Sequence, residues 1–210
     1  MEKLDLAKQY KAYYTAARKP ELVQLEQANY LSITGQGDPS APSFSISVQA
    51  LYSVAYTIKS MCKSRGKDFA VAKLEGLWSF DEEKYKAVSM TDAPKKIPRS
   101  EWQYRLLIRM PDFVTAGQIT IAREGVATKK QLPDALRTES FILPARQVVQ
   151  MLHTGPFDTE PETLQLMLGF IQKNNFQRDG LHHEVYLSDF RKTAPEKLKT
   201  ILREPVKRSE

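Results

Sequence analysis

Apolar side chains recur every three or four positions over residues 43–64, which predicts an amphipathic helix. The apolar stripe consists of Phe44, Val48, Leu51, Ala55, Ile58 and Cys62. Pro42 suits the first turn, and basic residues followed by Gly66 are typical of a helix end. Tyr52 and Tyr56 lie four residues apart beside this stripe, a spacing at which aromatic side chains usually pack against the core.

Other segments carry strand or helix patterns, separated by turns rich in glycine and proline. Strands are predicted over residues 21–35, 69–80, 102–110, 139–153 and 181–190, with Pro144 bending the fourth. Helices are predicted over residues 1–18 and 115–130, after Thr159, and over 195–203. Each half of the chain then runs strand, turn, long helix, strand, and a short motif places Glu75 in the first half where Glu184 lies in the second. Agreement in both order and motif indicates an internal duplication.

This organisation predicts an α+β fold built as a tandem pseudo-two-fold repeat of strand–helix–strand–strand units. We expect an antiparallel sheet with helices on one face and a ligand cleft on the other. Residues 1–210 form a single domain in this interpretation. Repeat one covers about 20–112, a connecting helix about 113–131, and repeat two about 136–206.

The stretch LHHEVYLSDF, residues 181–190, carries the most informative alternation. On a strand, Glu184 and Tyr186 point to one sheet face while Val185 and Leu187 point to the other. We expect Glu75 to approach Glu184 near the pseudo-two-fold axis, in a cleft between the repeats that binds a ligand. Trp78 has the opposite alternation from Glu75 unless Gly76 forms a bulge.

Composition is that of an ordinary globular protein, with 41% hydrophobic and 27% charged residues. No apolar run reaches the roughly 18 residues needed to cross a bilayer, and the polar start lacks the features of a signal peptide. We therefore expect a cytoplasmic protein without membrane contact. The net charge of +6 is scattered among 25 acidic residues rather than gathered in a stripe, which argues against direct nucleic-acid binding.

No metal or cofactor is expected. His182 and His183 are adjacent on a strand, so their side chains point to opposite faces and do not readily chelate one ion. We expect them, with His153, at the surface or the cleft rim. The single Cys62 excludes an intramolecular disulfide and lies on the apolar helical stripe. The oligomeric state stays open.

Several motifs resemble the GyrI-like small-molecule-binding family. They are LPARQVVQMLHTGPFDTEPETLQLMLGFI followed by HHEVYLSDF, with YLSITGQGDPS, LEGLW and EWQYRLLIRMP in the first half. The resemblance covers roughly residues 20–206 and implies the tandem fold described above. It also implies that Glu184 is the central pocket glutamate and that Trp78, Trp102, Tyr104 and Tyr186 are its aromatic neighbours.

Two functions follow from this resemblance. Some relatives are effector-binding parts of multidrug-sensing transcription activators and hold lipophilic cations; this predicts binding of lipophilic, cationic or aromatic molecules by Glu184, Glu75 and the aromatic residues, including Tyr56. Other relatives hydrolyse the cyclopropane ring of DNA-alkylating natural products. That alternative makes Glu184 a base for water, with Tyr104 or Tyr186 donating to the substrate oxygen. About 20 residues before the first strand are too few for a DNA-binding domain, so direct transcription control is not expected, whereas regulation through a protein partner stays open.

Overall fold

The computed structural model describes residues 3–86, 88 and 91–209. Its helices are α1 (Leu6–Gln9), α2 (Pro42–Lys63), α3 (Ala93–Lys96), α4 (Ala116–Lys129) and α5 (Glu160–Lys173). Its strands are β1 (Glu21–Leu25), β2 (Ala28–Gln36), β3 (Leu74–Ser79), β4 (Gln103–Arg109), β5 (Glu139–Leu143), β6 (Arg146–Thr154), β7 (Phe176–Arg178), β8 (His182–Tyr186) and β9 (Lys199–Arg208). Short 3₁₀ turns occur at Arg99–Glu101, Pro133–Arg137, Phe157–Thr159 and Pro195–Lys197.

The strands form one antiparallel sheet in the order β1-β6-β9-β8-β3-β4-β2-β5, and β7 pairs with β9 beside this path. The sheet curls into a half-barrel, so the predicted α+β class with an antiparallel sheet is confirmed. None of the helices among the described residues combines the length and the apolar character that a membrane span requires.

The sheet order contains two matching halves. β2, α2, β3 and β4 form one, β6, α5, β8 and β9 form the other, and they meet where β3 pairs with β8. The edge strands are exchanged: β1 pairs with β6 of the second half, and β5 pairs with β2 of the first. β1 and β5 have five residues each, and β2 and β6 have nine each, so the counterparts match in length as well as position.

One face of the sheet carries the long helices. The stripe of α2 is buried as its sequence spacing predicts, against β2, β4 and α4. α5 packs in the same way on β6 and β9, through Leu164, Met167 and Ile171. Burial of these apolar faces is the main source of stability for both helices, at roughly 1.5–3 kcal/mol for each fully buried large side chain. The two helices therefore cover separate parts of one face.

The opposite face is covered by the segment before β1. A helix predicted over residues 1–18 is wrong in extent, because α1 ends at Gln9 and the chain then turns. Tyr13 and Tyr14 pack on Val185 and Ile201, and the Ala17 carbonyl accepts a hydrogen bond from the Leu152 amide at 2.7 Å. These large aromatic side chains are buried against the sheet instead of forming the apolar stripe of a longer helix.

Two other element predictions need correction. The helix predicted over residues 195–203 is wrong: after the short turn Pro195–Lys197 the chain enters β9, the ten-residue strand between β6 and β8. The strand predicted over residues 69–80 begins only at Leu74, and Phe69 contributes an isolated bridge to Leu4. In both segments the apolar positions are compatible with more than one local structure. Pairing with neighbouring strands determines which residues become part of the sheet.

Candidate functional site

A cavity of about 430 Å³ lies between α2 and α5, above the junction of β3 and β8. It is therefore on the helix-bearing face, whereas we expected the cleft on the face without helices. The gap exists because each helix covers only its own half of the sheet. Side chains that line the cavity include Phe44, Trp78, Lys95, Arg99, Trp102, Phe157, Asp158, Glu160, Leu164, His182, Glu184, Tyr186 and Phe190.

Glu184 lies at the base of the cavity with 9% of its surface exposed. Its Oε1 atom is 3.3 Å from Nε2 of His182, and the Tyr186 hydroxyl lies close enough to its carboxylate to feel its charge. The Tyr186 oxygen in turn accepts a hydrogen bond of 3.0 Å from the Trp78 indole. Burial, followed by the Glu184 charge, raises the pKa of Tyr186, so its hydroxyl stays protonated and remains a donor. Neighbouring side chains thus fix the orientation of the carboxylate.

His182 is held between two carboxylates. Its Nδ1 atom is 2.5 Å from Oε1 of Glu204, whose other oxygen accepts a hydrogen bond of 2.9 Å from Arg178. Burial alone lowers the pKa of His182, but Glu204 and Glu184 outweigh it and raise the pKa to about 10. The imidazole is therefore a cation at neutral pH. The expectation that the three histidines lie at the surface or the cleft rim was wrong in exposure, since His153, His182 and His183 are all buried, although His182 does line the cavity.

Glu160, the first residue of α5, supplies a second carboxyl group to the cavity. It is 8% exposed, and its Oε1 atom lacks a hydrogen-bond partner among the residues that the structure describes. Burial, together with the nearby Glu184 charge, raises the pKa of Glu160 well above its ordinary value. Burial thus favours the protonated form of Glu160 beside a second carboxyl group that faces His182, and two carboxyl groups in such different surroundings suit proton transfer.

Aromatic rings form most of the wall. Trp78 stacks on Phe44 with ring centroids 6.0 Å apart and meets Trp102 edge-on at 6.3 Å. Tyr186 contacts rings on the opposite side, Phe157 and Phe190, at 6.1 and 5.6 Å. This wall suits a flat apolar ligand.

Gly76 permits the close approach of the two rings that flank Glu184. A Cβ at this position would lie 2.8 Å from the Trp78 indole nitrogen and 3.1 Å from the Tyr186 hydroxyl. The strand registers make Gly76 the counterpart of Glu184, and Trp78 the counterpart of Tyr186. The duplicated fold therefore carries a single carboxylate at this position, with a glycine in the other copy.

Of the seven ligand candidates from the sequence, the structure brings Glu184, Tyr186, Trp78 and Trp102 together at the cavity. Tyr104 is placed behind it, where its hydroxyl is 3.1 Å from the Ser47 hydroxyl of α2. Tyr56 lies in a neighbouring groove of about 580 Å³, stacked on Tyr52 with centroids 6.3 Å apart. This groove shares Pro39, Phe44 and Phe190 with the cavity.

Glu75 lies on the other face of the sheet. It pairs with Val185, one residue out of step from Glu184, so the expected approach of the two glutamates does not occur. Glu75 is fully buried, and its Oε2 atom accepts hydrogen bonds from Tyr13 at 2.6 Å and His183 at 2.8 Å. Burial outweighs the Tyr13 hydrogen bond and the charges of nearby arginines and raises the pKa of Glu75 to about 7.

The His183 tautomer follows from its partners. Arg146 is a donor only, so the Nδ1 atom of His183, 2.9 Å from it, must accept and Nε2 must carry the proton given to Glu75. Because Glu75 and His183 are counterparts in the two halves, they form a symmetry-related pair behind the cavity, as Trp78 and Tyr186 do within it.

Sequence reasoning missed His182, Glu160 and Glu204 as site residues. The signal for His182 was present, because it precedes Glu184 by two residues on one strand and must share its face. Glu160 and Glu204 come from α5 and β9, and only the packing of these elements brings them close. Among the described residues, no group of three or more histidine, cysteine, aspartate or glutamate side chains is arranged to hold a metal ion.

Comparison with known proteins places the sequence among binding domains for small molecules. The model of the GyrI-like small molecule binding domain matches residues 18–207. None of the curated proteins is similar enough to count as a match.

Solved structures provide full-length relatives. An uncharacterized conserved protein from Listeria innocua is 35% identical, with a TM-score of 0.86, over 98% of this chain and 100% of the other. A protein described as a hydrolase from Listeria innocua is 36% identical, with a TM-score of 0.83 and the same coverage. The EcmrR C-terminal domain, 10% identical with a TM-score of 0.58 over 90% of this chain and 98% of the other, shares the fold.

Proposed function

The chain belongs to the family of GyrI-like small molecule binding domains, and from that membership we propose that it hydrolyses a small, largely aromatic molecule in the cavity around Glu184. The observation that carries this proposal is the pair of buried carboxyl groups in different surroundings: Glu184 faces His182, whereas the Oε1 atom of Glu160 has no hydrogen-bond partner among the described residues. Glu184 is the proton acceptor, and Glu160 is the proton donor. The substrate that we propose is an activated cyclopropane, in which ring strain and a conjugated carbonyl group make carbon open to attack by water.

Glu184 acts as the general base. It removes a proton from water while the water oxygen bonds to the less hindered ring carbon. The carbon–carbon bond of the ring breaks, and its electron pair moves through the conjugated system to the carbonyl oxygen, which becomes an enolate. Tyr186 and His182 hold the carboxylate in place for this transfer. The base contributes about 10²–10⁴-fold to such a step.

Glu160 returns a proton to the enolate oxygen. The net reaction is addition of one water molecule, and the two carboxyl groups recover their starting states when the proton on Glu184 passes through solvent to Glu160. Burial raises the pKa of Glu160 and so favours the protonated form that a donor requires. The aromatic wall of Trp78 and Trp102 supports this proposal, since it provides a dry, flat surface for a conjugated substrate.

The comparison with Listeria innocua adds support, because a protein described as a hydrolase shares 36% of its sequence with this chain over nearly its whole length. The proposal is consistent with that relative.

The test is incubation of the protein with activated cyclopropanes, followed by mass spectrometry for a product one water heavier. We expect the wild type to accelerate ring opening, and Glu184→Gln to reduce the rate at least a hundredfold. Glu162→Gln, an exposed residue of the same charge on α5, is the matched control and should retain full activity. If the wild type opens the ring of several substrates no faster than buffer alone does, the proposed hydrolase activity is refuted.

Binding without chemistry is the second candidate. The aromatic lining favours it, because such a wall retains apolar molecules of many shapes. A variant with glutamine at position 184 separates the two functions, since a passive aromatic site keeps its affinity for neutral ligands when Glu184 loses its charge.

The neighbouring groove extends either function to longer molecules. Because Phe44 and Phe190 belong to both spaces, we propose that a ligand anchored near Trp78 continues past these rings toward Tyr56. Tyr52 and Tyr56, which stack in parallel on α2, would then hold the outer part of the ligand.

A further inference from the structure

We propose that the ligand of the cavity carries no positive charge: a neutral aromatic body lies against Trp78 and Tyr186, and a hydrogen-bond-accepting or acidic group at its outer end meets Lys95 and Arg99. This inference rests on the cavity of the proposed function and names its substrate class. It departs from the lipophilic cations that the resemblance to multidrug-sensing relatives predicts.

The negative charge at the base of the cavity already has a partner. His182 is 3.3 Å from Glu184 and 2.5 Å from Glu204, and Glu204 also accepts a hydrogen bond from Arg178. Two carboxylates thus face two protein cations. A positively charged ligand would have to displace the imidazole from Glu184 rather than fill a vacant position, so binding would gain little from charge pairing.

Glu160 also disfavours a cationic ligand. Its carboxyl group is buried, and its Oε1 atom has no hydrogen-bond partner among the described residues, so its surroundings favour the neutral form and raise its pKa. A protonated carboxyl group donates one hydrogen bond, and its partner must be an acceptor. A cationic ammonium or phosphonium group offers no acceptor, whereas a carbonyl or ether oxygen does.

Basic side chains lie at the mouth of the cavity. Lys95 and Arg99 line it with exposed side chains, and Asp158 is the acidic residue beside them. Arg99 lies 3.8 Å from Asp38, a separation at which an exposed pair retains little attraction. Two basic side chains and one acidic side chain line the entrance itself, so a ligand group that accepts hydrogen bonds is favoured there over a cation.

A pair of probes of equal shape and opposite charge tests the inference. Tetraphenylborate and tetraphenylphosphonium differ in charge but hardly in size, and their binding is measured in potassium-free buffer by quenching of intrinsic fluorescence. The chain has two tryptophans, and both Trp78 and Trp102 line the cavity, so quenching reports this site. We expect the borate to bind at least tenfold more tightly than the phosphonium. The neutral probe N-phenyl-1-naphthylamine should also bind.

Charge variants show whether these residues cause the preference. Lys95→Glu combined with Arg99→Glu should narrow the borate preference at least tenfold. The matched control, Lys8→Glu with Lys11→Glu, changes exposed lysines of the N-terminal segment that covers the other face of the sheet and should leave the preference unchanged. His182→Asn should increase the affinity for phosphonium, because it leaves Glu184 without its cation.

The possible outcomes divide clearly. Equal or tighter binding of phosphonium by the wild type overturns the inference, as does a failure of all three probes to bind. Binding of the borate or the neutral probe in preference to phosphonium supports it. Because these are binding measurements, a protein that prefers the borate yet opens no cyclopropane would refute the proposed hydrolysis and leave the charge preference standing.

Discussion

The Gly76→Ala substitution tests whether the contact between Trp78 and Tyr186 shapes the cavity. The added methyl group would lie 2.8 Å from the indole nitrogen and 3.1 Å from the phenol oxygen, closer than non-bonded carbon contacts allow. Neither ring is free to retreat, since Trp78 also packs on Phe44 and Tyr186 on Phe190. The methyl group therefore separates the rings and breaks their 3.0 Å hydrogen bond.

The expected cost follows from two opposing effects. Overpacking in a well-packed interior costs about 1–3 kcal/mol, and alanine regains about 0.5–1 kcal/mol because glycine loses more backbone entropy on folding. Overpacking prevails, so we expect a net loss of about 1–2 kcal/mol in the free energy of unfolding. For a domain of this size each kcal/mol lowers the melting temperature by about 2–4 °C. Affinity for N-phenyl-1-naphthylamine should fall more than tenfold, because the displaced rings occupy the cavity.

Differential scanning calorimetry and a fluorescence titration measure these effects. Gly169→Ala is the matched control: a Cβ there meets no atom within 4 Å, so alanine should stabilise α5 slightly and leave binding intact. Unchanged melting temperature and affinity in Gly76→Ala would refute the assignment of these two rings to the cavity wall.

Three further variants test other parts of the structure. The pKa of His182 is raised from 6.5 to about 10, so its charge contributes stability that is complete below pH 6.5 and is lost as pH rises through 10. The difference in melting temperature between wild type and His182→Asn should therefore shrink from pH 6 to pH 10. A difference that stays constant would contradict the ion pairs of His182. Tyr56→Ala should weaken the binding of a ligand with two ring systems by several fold, as measured by fluorescence, and leave the binding of a ligand with one ring system unchanged. Equal effects on both ligands would exclude the groove from the binding site. Tyr13→Phe removes the 2.6 Å hydrogen bond to Glu75 and should cost about 1–3 kcal/mol in urea unfolding at pH 8, where this carboxyl group with a pKa of about 7 is ionised; a smaller loss is expected at pH 5, and a loss independent of pH would rule out this role.

The sequence predicts α2 almost to its ends, because the apolar stripe recurs over five turns and its two end signals are local. Alternation within β8 also predicts that Glu184 and Tyr186 share a face, and both line the cavity. These features depend on the period of a single element. They require no knowledge of its neighbours.

The pairing of strands cannot be predicted from the period of a single element. A shift of one residue moves a side chain to the other face, and the match between Glu75 and Glu184 in the sequence differs by one residue from their pairing in the sheet. The same limit applies to β9, which reads as a helix until β6 and β8 bind both of its edges. His182 was misjudged for a related reason, since burial of a polar side chain depends on partners such as Glu204 that come from distant sequence.

The exchange of edge strands determines how the protein would behave if its chain were cut into two fragments. A cut in the connection between α4 and β5 would produce two fragments, each carrying the strand that completes the other: β1 would leave with the first fragment although its partner is β6, and β5 with the second although its partner is β2. Each fragment alone would expose an unpaired backbone edge along β2 or β6 and would be prone to aggregate. When the two fragments are mixed, we expect them to reassociate, because each supplies the edge strand that the other lacks. The cavity, formed where β3 meets β8, would come into existence only upon that reassembly.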